Sequence, residues 1–334
     1  MRFELPEDAL ALGAGVRDMV SRACPPSVIR AAWPCGDGSA VEGLWRALGD
    51  LGLPGLLVPE AAGGLGASEL AAVAALEECG HAGVPGPLVE TVTCTAPLLA
   101  SADPLNLLPA VLDGSARVAV QAESGSLVPY AVGSVAVLCL APPAEILPIA
   151  GAAVTGVDTV DGSRALAQVA GEGATLEVDP TALDLARRRA ELGTAAFLHG
   201  LARRQRDLTV AYVSDRQQFG VPVGSFQAVK HPLADATVGL EFSWPAILRA
   251  AASLASGDPS AGLHVSMAKA LTSDAAWRMS RVCLQAHGAM GYTVEYDLHL
   301  YAKRTWALAY AWGSATEHRG RVAAQLGLHE GMRT

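Results

Sequence analysis

Two short motifs in the last third of the chain combine residue types that could hold a ligand with a phosphate and a flat ring. The first reads DRQQFG and contains Arg216, Phe219 and Gly220. A guanidinium group can donate two parallel hydrogen bonds to a phosphate, and it or an aromatic side chain can stack on a planar ring. A surface arginine and a core phenylalanine would show the same spacing, so this motif alone leaves both interpretations open.

The second motif reads QAHGAMG and begins at Gln285, about 70 residues after the first. Gly288 and Gly291 would let a ligand approach the backbone, and the Gln285 amide offers both a donor and an acceptor. By itself this pattern is equally typical of the end of a helix. His287 and Tyr292 lie in the same run, where a single histidine is more typical of a packed or solvated side chain than of a catalyst.

Helical patterns dominate the first third of the chain, residues 1–112. Apolar residues recur at helical spacing over residues 41–51 and 68–78, and Ser68 is a plausible N-cap before an acidic first turn. Between these segments, residues 54–66 are rich in glycine and proline, which predicts a loop of several turns.

The residue composition of the sequence changes twice after residue 112. Over residues 113–179, short apolar runs rich in Val and Thr alternate with turn residues, which predicts a small β domain. Helical patterns return over residues 180–334, with long helices predicted over 184–214, 225–256 and 260–286. Because strands and helices do not alternate, a doubly wound nucleotide fold is disfavoured, and the predicted fold is mainly α with a small β domain.

Composition narrows the functional classes. The 334 residues are 51% hydrophobic and 17% charged, which suffices for a large core and excludes a disordered chain. The formal charge of −9 speaks against electrostatic binding to nucleic acid or anionic lipid. Six cysteines lie far apart with no metal-ligand spacing, so reduced, buried thiols and no metal site are expected.

Two further segments bear on the cellular location of the protein. The N-terminus is acidic where a signal peptide would be basic and then apolar, so we expect a cytoplasmic protein. The uncharged segment 124–144 is long enough to raise the question of a membrane span. Pro129, Gly133 and two later prolines interrupt it, so a buried strand over residues 132–140 is the better prediction and no membrane contact is expected.

Taken together, the two motifs resemble those of the acyl-CoA dehydrogenase family. The resemblance also includes the PE and GGLG letters of residues 59–66 and the FQ pair at Gln227, and it covers nearly the whole chain. It implies an N-terminal helical domain, a middle β domain and a C-terminal four-helix bundle. It also implies FAD bound between the subunits of a dimer, two such dimers forming a tetramer, and a glutamate that removes the α-proton of an acyl-CoA while the β-hydride goes to the flavin.

The same resemblance assigns roles to five residues. Arg216 would contact the FAD pyrophosphate of the neighbouring subunit. Gln285 and Gly288 would surround the other half of that cofactor, and Phe219 and Gln227 are the remaining FAD contacts implied.

The chain departs from the family at both positions that carry the catalytic glutamate. Counting from the second motif, Trp312 stands where the first of these belongs, and an indole cannot accept a proton as a general base. The second position falls on Ala190. Glu191 is its neighbour, but one residue turns a helical side chain by about 100°, and an arginine-paired surface carboxylate is the ordinary expectation there.

The middle domain departs as well. The residues that hold a subunit's own flavin in this family have no counterpart between Gln121 and Tyr130, so the flavin cradle looks deleted. The losses therefore fall on what a subunit uses for its own flavin, and the residues lent to a neighbour are kept.

This one-sided loss resembles the paired dehydrogenases of actinobacterial sterol side-chain catabolism. In these, two different chains form an α2β2 heterotetramer and one type carries the base. The resemblance implies a base-less subunit whose partner supplies the glutamate, an acyl-CoA substrate and an electron-transfer flavoprotein as acceptor. Two alternatives stay open: a self-sufficient homomeric flavoenzyme that uses Glu191, and a structural pseudoenzyme that binds no flavin.

Overall fold

The computed structural model describes residues 4–34 and 36–328, and helices make up most of it. The first part of the chain is helical, as predicted. Its helices are α1 (Glu7–Ala23), α2 (Pro26–Ala31), α3 (Ser39–Asp50), α4 (Glu69–Ala82), α5 (Leu88–Glu90), α6 (Ala96–Leu99) and α7 (Leu108–Leu112). Short 3-10 turns at Leu53–Gly55 and Glu60–Ala62 occupy the predicted loop, and a π-helical turn, Thr91–Thr95, joins α5 to α6.

Helix α4 is the central element of this part. The Ser68 hydroxyl accepts a hydrogen bond from the Ala71 N–H at 3.4 Å, which confirms the predicted N-cap. Most of the helix is buried on all sides, as expected for a helix enclosed by others. A Cβ at Gly80 would lie 2.1 Å from the Phe197 carbonyl oxygen, so glycine is required where α4 meets the next long helix.

The β region follows as two small sheets. Its strands are β1 (Val118–Gln121), β2 (Val128–Pro129), β3 (Ala136–Cys139), β4 (Glu145–Pro148), β5 (Ala153–Val157), β6 (Leu166–Ala170) and β7 (Ala174–Thr175). The order is β1-β3-β4-β7 in one sheet and β2-β6-β5 in the other. Strands β1 and β3 are parallel, with Val118 opposite Ala136, and the remaining pairs are antiparallel.

The predicted buried strand within residues 132–140 is β3. Among the described residues, no helix combines the length and apolarity needed to cross a membrane.

The C-terminal part contains a helical bundle, as predicted. Its helices are α8 (Pro180–Asp215), α9 (Gln227–Ala255), α10 (Ala261–His287), α11 (Leu298–Tyr310) and α12 (Ala315–Gln325). Between α8 and α9 lies a hairpin of β8 (Gln217–Gln218) and β9 (Val221–Pro222). The Asp179 carboxylate accepts a hydrogen bond from the Thr181 N–H at 2.7 Å and caps α8, with Pro180 in its first turn.

The N-terminal helices and the bundle share one hydrophobic core. The largest buried cluster contains Trp45, Leu76, Phe197, Ile247 and Met279, which come from α3, α4, α8, α9 and α10. Burial of this continuous apolar surface is the main force holding the two helical parts together.

A buried ion pair attaches the β region to the bundle. Arg304 on α11 pairs with Asp161, in the loop before β6, and also donates to Ser163. A third donation goes to the Val84 carbonyl oxygen at 3.2 Å. Arg304 and Asp161 are each 2% exposed, so loop, helix and N-terminal part meet at one desolvated charge pair.

Candidate functional site

Arg216 lies at the C-terminal end of α8, where the chain turns into the hairpin. Its N–H donates to the Tyr212 carbonyl oxygen at 2.9 Å, and its own carbonyl accepts from the Val223 N–H at 2.8 Å. The side chain is exposed and takes part in no salt bridge within the described part of the chain. The backbone is thus fixed on both sides while the guanidinium group is free to meet an external anion.

Phe219 stands at the tip of the same hairpin and points into solvent. Its ring is 92% exposed, and its φ of 54° lies in the left-handed region that non-glycine residues rarely adopt. The ring contacts Phe226 edge to face, with 6.2 Å between centroids. Gln227 is exposed in the first turn of α9. Of the two interpretations that the sequence left open for Phe219, the core position is therefore excluded, and the ring is presented on the surface.

The second motif ends helix α10. Gln285 is exposed in the last turn, and Gly288 follows with φ 58° and ψ −136°, a backbone conformation that strongly favours glycine. A Cβ at Gly288 would have no atom within 4 Å, so the surface above this residue is open. Tyr292, in the 3-10 turn that follows, is 77% exposed.

His287 links the two motifs. Its ring stacks on Tyr212, one turn before Arg216, with 4.3 Å between centroids, and it also contacts Tyr296 at 4.9 Å. The Nδ1–H donates to the Cys283 carbonyl oxygen at 2.8 Å, and burial lowers the pKa of the ring. His287 is thus the packed histidine expected from the sequence, and its stack holds the end of α8 against the end of α10.

The five candidate cofactor residues therefore occupy the molecular surface. One group comprises Arg216, Phe219 and Gln227, and the other comprises Gln285 and Gly288. None of them lines the cavity that contains Trp312.

That cavity lies between the β region and the bundle and has a volume of about 590 Å3. Its walls come from the loop between β1 and β2, from α8 and from the turn between α11 and α12. Trp312 and Glu191 line it, and so does Glu90 at the end of α5. This is the size of an ordinary small-molecule site.

Trp312 occupies a strained position in the wall. Its φ is 58°, and its indole N–H donates to Glu90 Oε1 at 3.3 Å. Ala190, the other position that the sequence resemblance assigns to the family's glutamate, lies on α8 and is fully buried in the core. The described residues therefore place a carboxylate at neither position.

Glu191 is less exposed than the sequence suggests. Its side chain is 12% exposed on the cavity wall, and Arg321 of α12 donates to its Oε1 at 2.5 Å. Burial raises the pKa of the Glu191 carboxyl, and the Arg321 charge opposes that rise. The expected arginine partner is present, but it belongs to another helix and not to the Arg-rich stretch of α8.

A buried lysine supports the turn that carries Trp312. Lys269 is fully buried, and its ammonium donates to the carbonyl oxygens of Gly313 at 2.9 Å and Ala309 at 3.2 Å. Burial lowers the pKa of Lys269 to about 7, although nearby Glu191 and Glu317 oppose the shift.

Glu90 and Lys269 were both missed by sequence reasoning. Glu90 is the one acidic or basic residue between His81 and Asp103, in a strongly apolar stretch, which is a signal that could have been followed. Lys269 gives no comparable signal, because α10 carries other polar residues on the same turns.

The cysteines behave as expected where the structure describes them. Cys24, Cys79, Cys94 and Cys283 are buried free thiols and Cys139 is half-buried, whereas Cys35 lies outside the described residues. Within residues 4–34 and 36–328, no group of His, Cys, Asp or Glu side chains is arranged to hold a metal ion.

Comparison with known proteins decides the family. The model of the acyl-CoA dehydrogenase N-terminal domain matches residues 6–104, and that of the C-terminal domain matches residues 181–327. This chain belongs to the acyl-CoA dehydrogenase family. Membership makes it a relative of oxidoreductases whose cofactor is FAD. The open surface above Gly288 and the exposed Phe219 ring are compatible with such a cofactor at the surface motifs.

The relatives found by sequence include an actinobacterial protein. The acyl-CoA dehydrogenase IpdE2 of Mycobacterium tuberculosis is 32% identical over 325 residues, which cover 96% of this chain and 98% of that protein.

Solved structures of the same family share the fold. The Tcur3481-Tcur3483 steroid acyl-CoA dehydrogenase superposes with a TM-score of 0.84 at 24% identity, covering 98% of this chain and 100% of that chain. The ChsE4-ChsE5 complex from Mycobacterium tuberculosis has a TM-score of 0.81 at 23% identity, covering 98% and 99%. These likenesses confirm the predicted arrangement of N-terminal helices, middle strands and C-terminal bundle.

Proposed function

We propose that this chain is one subunit of a heteromeric, FAD-dependent acyl-CoA dehydrogenase and lacks the catalytic glutamate. The observation that supports the proposal is that Trp312 lines the cavity at the position to which the sequence resemblance assigns the family's base. Ala190 at the alternative position is enclosed by the core. A partner subunit would supply the glutamate that removes the α-proton of the acyl-CoA.

The surface motifs give this chain a role in the partner's site. Arg216 would donate to the FAD pyrophosphate, because its guanidinium forms no salt bridge within residues 4–34 and 36–328 and is suited to a phosphate. Phe219 and Gln227 would contact the cofactor beside it, and Gln285 and Gly288 would border its other half. When bound, FAD accepts the hydride; the residues of this chain bind and orient it.

The partner we propose is a second, related chain in an α2β2 assembly. Two solved relatives are named as pairs of different chains, Tcur3481-Tcur3483 and ChsE4-ChsE5, and both have the fold of this chain. The first of these is a steroid acyl-CoA dehydrogenase. By this likeness we propose a sterol-derived acyl-CoA as substrate and an electron-transfer flavoprotein as electron acceptor.

The alternative, a self-sufficient enzyme in which Glu191 is the general base, has less support. A general base must have a free lone pair within reach of the substrate proton. One oxygen of Glu191 accepts from Arg321, and this cation stabilises the ionised carboxylate and so weakens it as a base, although its second oxygen keeps free lone pairs.

Co-expression tests the proposal directly. The full chain would be purified alone and together with a family member encoded beside it that carries the glutamate, and native mass and FAD per protein mass would be measured. We expect FAD only on co-purification, at about one per two chains in a tetramer. Arg216→Ala should lower the FAD content of that tetramer, and Arg22→Ala on the surface of α1 is the matched control.

Two results would contradict the proposal. A yellow, homomeric chain that turns over acyl-CoA by itself would require a base within this chain. A colourless complex with the partner present would favour a structural pseudoenzyme.

A further inference from the structure

Glu90 is a buried acid in a strongly apolar stretch of the chain. It ends helix α5, is 3% exposed and lines the 590 Å3 cavity. Its neighbours in sequence are apolar or small from Val84 to Leu99. Since burying a carboxylate is costly unless it is well partnered, such a residue calls for a specific explanation.

The buried Arg304 guanidinium is close enough to interact with the charge of Glu90, but few hydrogen-bond donors meet the carboxylate itself. Within residues 4–34 and 36–328, the hydrogen bonds include one donor to its carboxylate, the Trp312 indole at 3.3 Å, and the salt bridges do not include Glu90. An ionised carboxylate has about four acceptor positions on its two oxygens. Most of these positions are left for a group that enters the cavity.

The backbone on both sides of this hydrogen bond is unusual. Helix α5 runs into the π-helical turn Thr91–Thr95, and such turns are frequent at functional sites. Trp312 has a φ of 58°, which is rare for a bulky side chain. Two uncommon backbone conformations therefore place one indole and one carboxylate in the same cavity wall.

The solvent exposure of the lining side chains indicates which of them lie at the inner end of the cavity and which at its mouth. Glu90 and Val120 are buried, whereas the side chains of Arg188 and Arg321 are 38% and 51% exposed. The carboxylate thus belongs to the inner end and the two guanidinium groups to the outer end. A ligand that fills the cavity would have its innermost group at Glu90.

We propose that Glu90 is a specificity-determining residue that accepts a hydrogen bond from a hydroxyl group on the inner end of an acyl ligand in this cavity. A neutral hydroxyl provides the missing donor at a lower desolvation cost than an ammonium group. Trp312 acts as a positioning residue, because its indole N–H fixes one oxygen and leaves the other for the ligand. This inference concerns the chain's own cavity and goes beyond the shared flavin site proposed above.

Matched thioesters test the inference by binding alone. The full chain, co-purified with its partner, would be titrated calorimetrically with hexanoyl-, octanoyl- and decanoyl-CoA and with their ω-hydroxy and ω-amino counterparts. We expect at least one ω-hydroxy thioester to bind about 10- to 100-fold more tightly than its plain counterpart, the range for a hydrogen bond to a charged acceptor. Glu90→Leu should abolish this preference, and Glu90→Gln should reduce it.

Two further variants separate recognition from folding. Glu123→Gln changes an exposed carboxylate that lines the same cavity and should keep the hydroxyl preference. Trp312→Phe keeps the carboxylate and should weaken the preference. If Glu90→Leu unfolds, as a melting curve would reveal, the Glu90→Gln and Trp312→Phe titrations still decide the question.

Three outcomes would overturn the inference. These are no hydroxyl preference in the wild-type complex, a preference that survives Glu90→Leu, and tighter binding of the ω-amino thioester. All are read from binding and do not depend on the FAD stoichiometry, so a failure here is distinguishable from a failure of the shared-site proposal.

Discussion

The ammonium of Lys269 donates to the carbonyl oxygen of Gly313 at 2.9 Å, and this bond joins the interior of α10 to the turn that carries Trp312. His318 on α12 adds a second support, because its Nε2–H donates to the Trp312 carbonyl oxygen at 3.0 Å. Burial lowers the pKa of His318 to about 4, so it is a neutral donor at pH 7. The backbone that carries the indole is thus held by side chains from two helices.

Replacing Lys269 should destabilise the fold. Lys269→Met fills the space but leaves carbonyl oxygens of Gly313, Ala309 and Leu308 without their donor, and each unsatisfied buried acceptor costs about 1–3 kcal/mol. We expect a lower free energy of unfolding in urea. Lys303→Met, at a residue on α11 whose ammonium lies over the Trp33 ring, is the control and should cost less. Equal losses would contradict a special role of Lys269.

Lys269 also predicts a pH dependence. Its pKa is about 7 in the folded chain and 10.5 when unperturbed, so between these values the unfolded state binds more protons. Stability should therefore rise with pH across this window, relative to a variant without the group. The difference in unfolding free energy between wild type and Lys269→Met, measured from pH 6 to pH 10, is the test. A difference that is flat or falls with pH would show that the folded-state pKa is not lowered.

Much of the fold could be predicted because its determinants are local. The long helices α8 and α10 begin and end within a few residues of the predicted bounds, since periodicity and capping groups such as Ser68 act over one or two turns. The order of helices, strands and helices followed from the same local signals. The resemblance to the family rested mainly on two short motifs, each contained in a single loop or helix end.

The cavity could not be predicted in the same way. Glu90 and Trp312 meet across 222 positions in sequence, and Arg321 reaches Glu191 across 130. Such contacts arise from the packing of separate elements, which no spacing rule encodes. For the same reason the motif alone left the position of Phe219 open, because the same ring could pack inside or stand on a hairpin tip.

The hydrogen bond from Trp312 to Glu90 should contribute to stability. Trp312→Phe removes the donor and leaves the buried carboxylate without it, and we expect a loss of about 1–3 kcal/mol. Trp306→Phe is a matched control, because the Trp306 indole N–H has no partner among the described residues and its removal breaks no hydrogen bond. Chemical denaturation of both variants tests this. Similar losses for the two would mean that ring packing, and not the hydrogen bond, dominates.

Breaking the buried pair between Arg304 and Asp161 should loosen the β region. Asp161→Asn leaves the Arg304 charge buried without its partner, which typically costs about 3–5 kcal/mol. We expect lower stability and faster amide hydrogen exchange in strands β5 and β6, with the core of α10 less affected at early times. Asp18→Asn removes a partner of exposed Arg22 and should change little. Unchanged exchange in the β region would show that the pair does not attach it.

Substitution of Phe219 should affect cofactor binding without affecting folding. Phe219→Gly removes a ring that is 92% exposed and places glycine where φ is 54°, so relief of backbone strain offsets most of what is lost and stability should change by less than ~1 kcal/mol. If the ring contacts FAD in the partner's site, the same change should lower the FAD content of the co-purified complex. Phe242→Ala, at a ring that is 75% exposed on α9, tests whether loss of any exposed ring has this effect. If the Phe219→Gly complex stays tetrameric and keeps its FAD, Phe219 is not part of the shared site. The role of Arg216 is tested separately, by the Arg216→Ala variant.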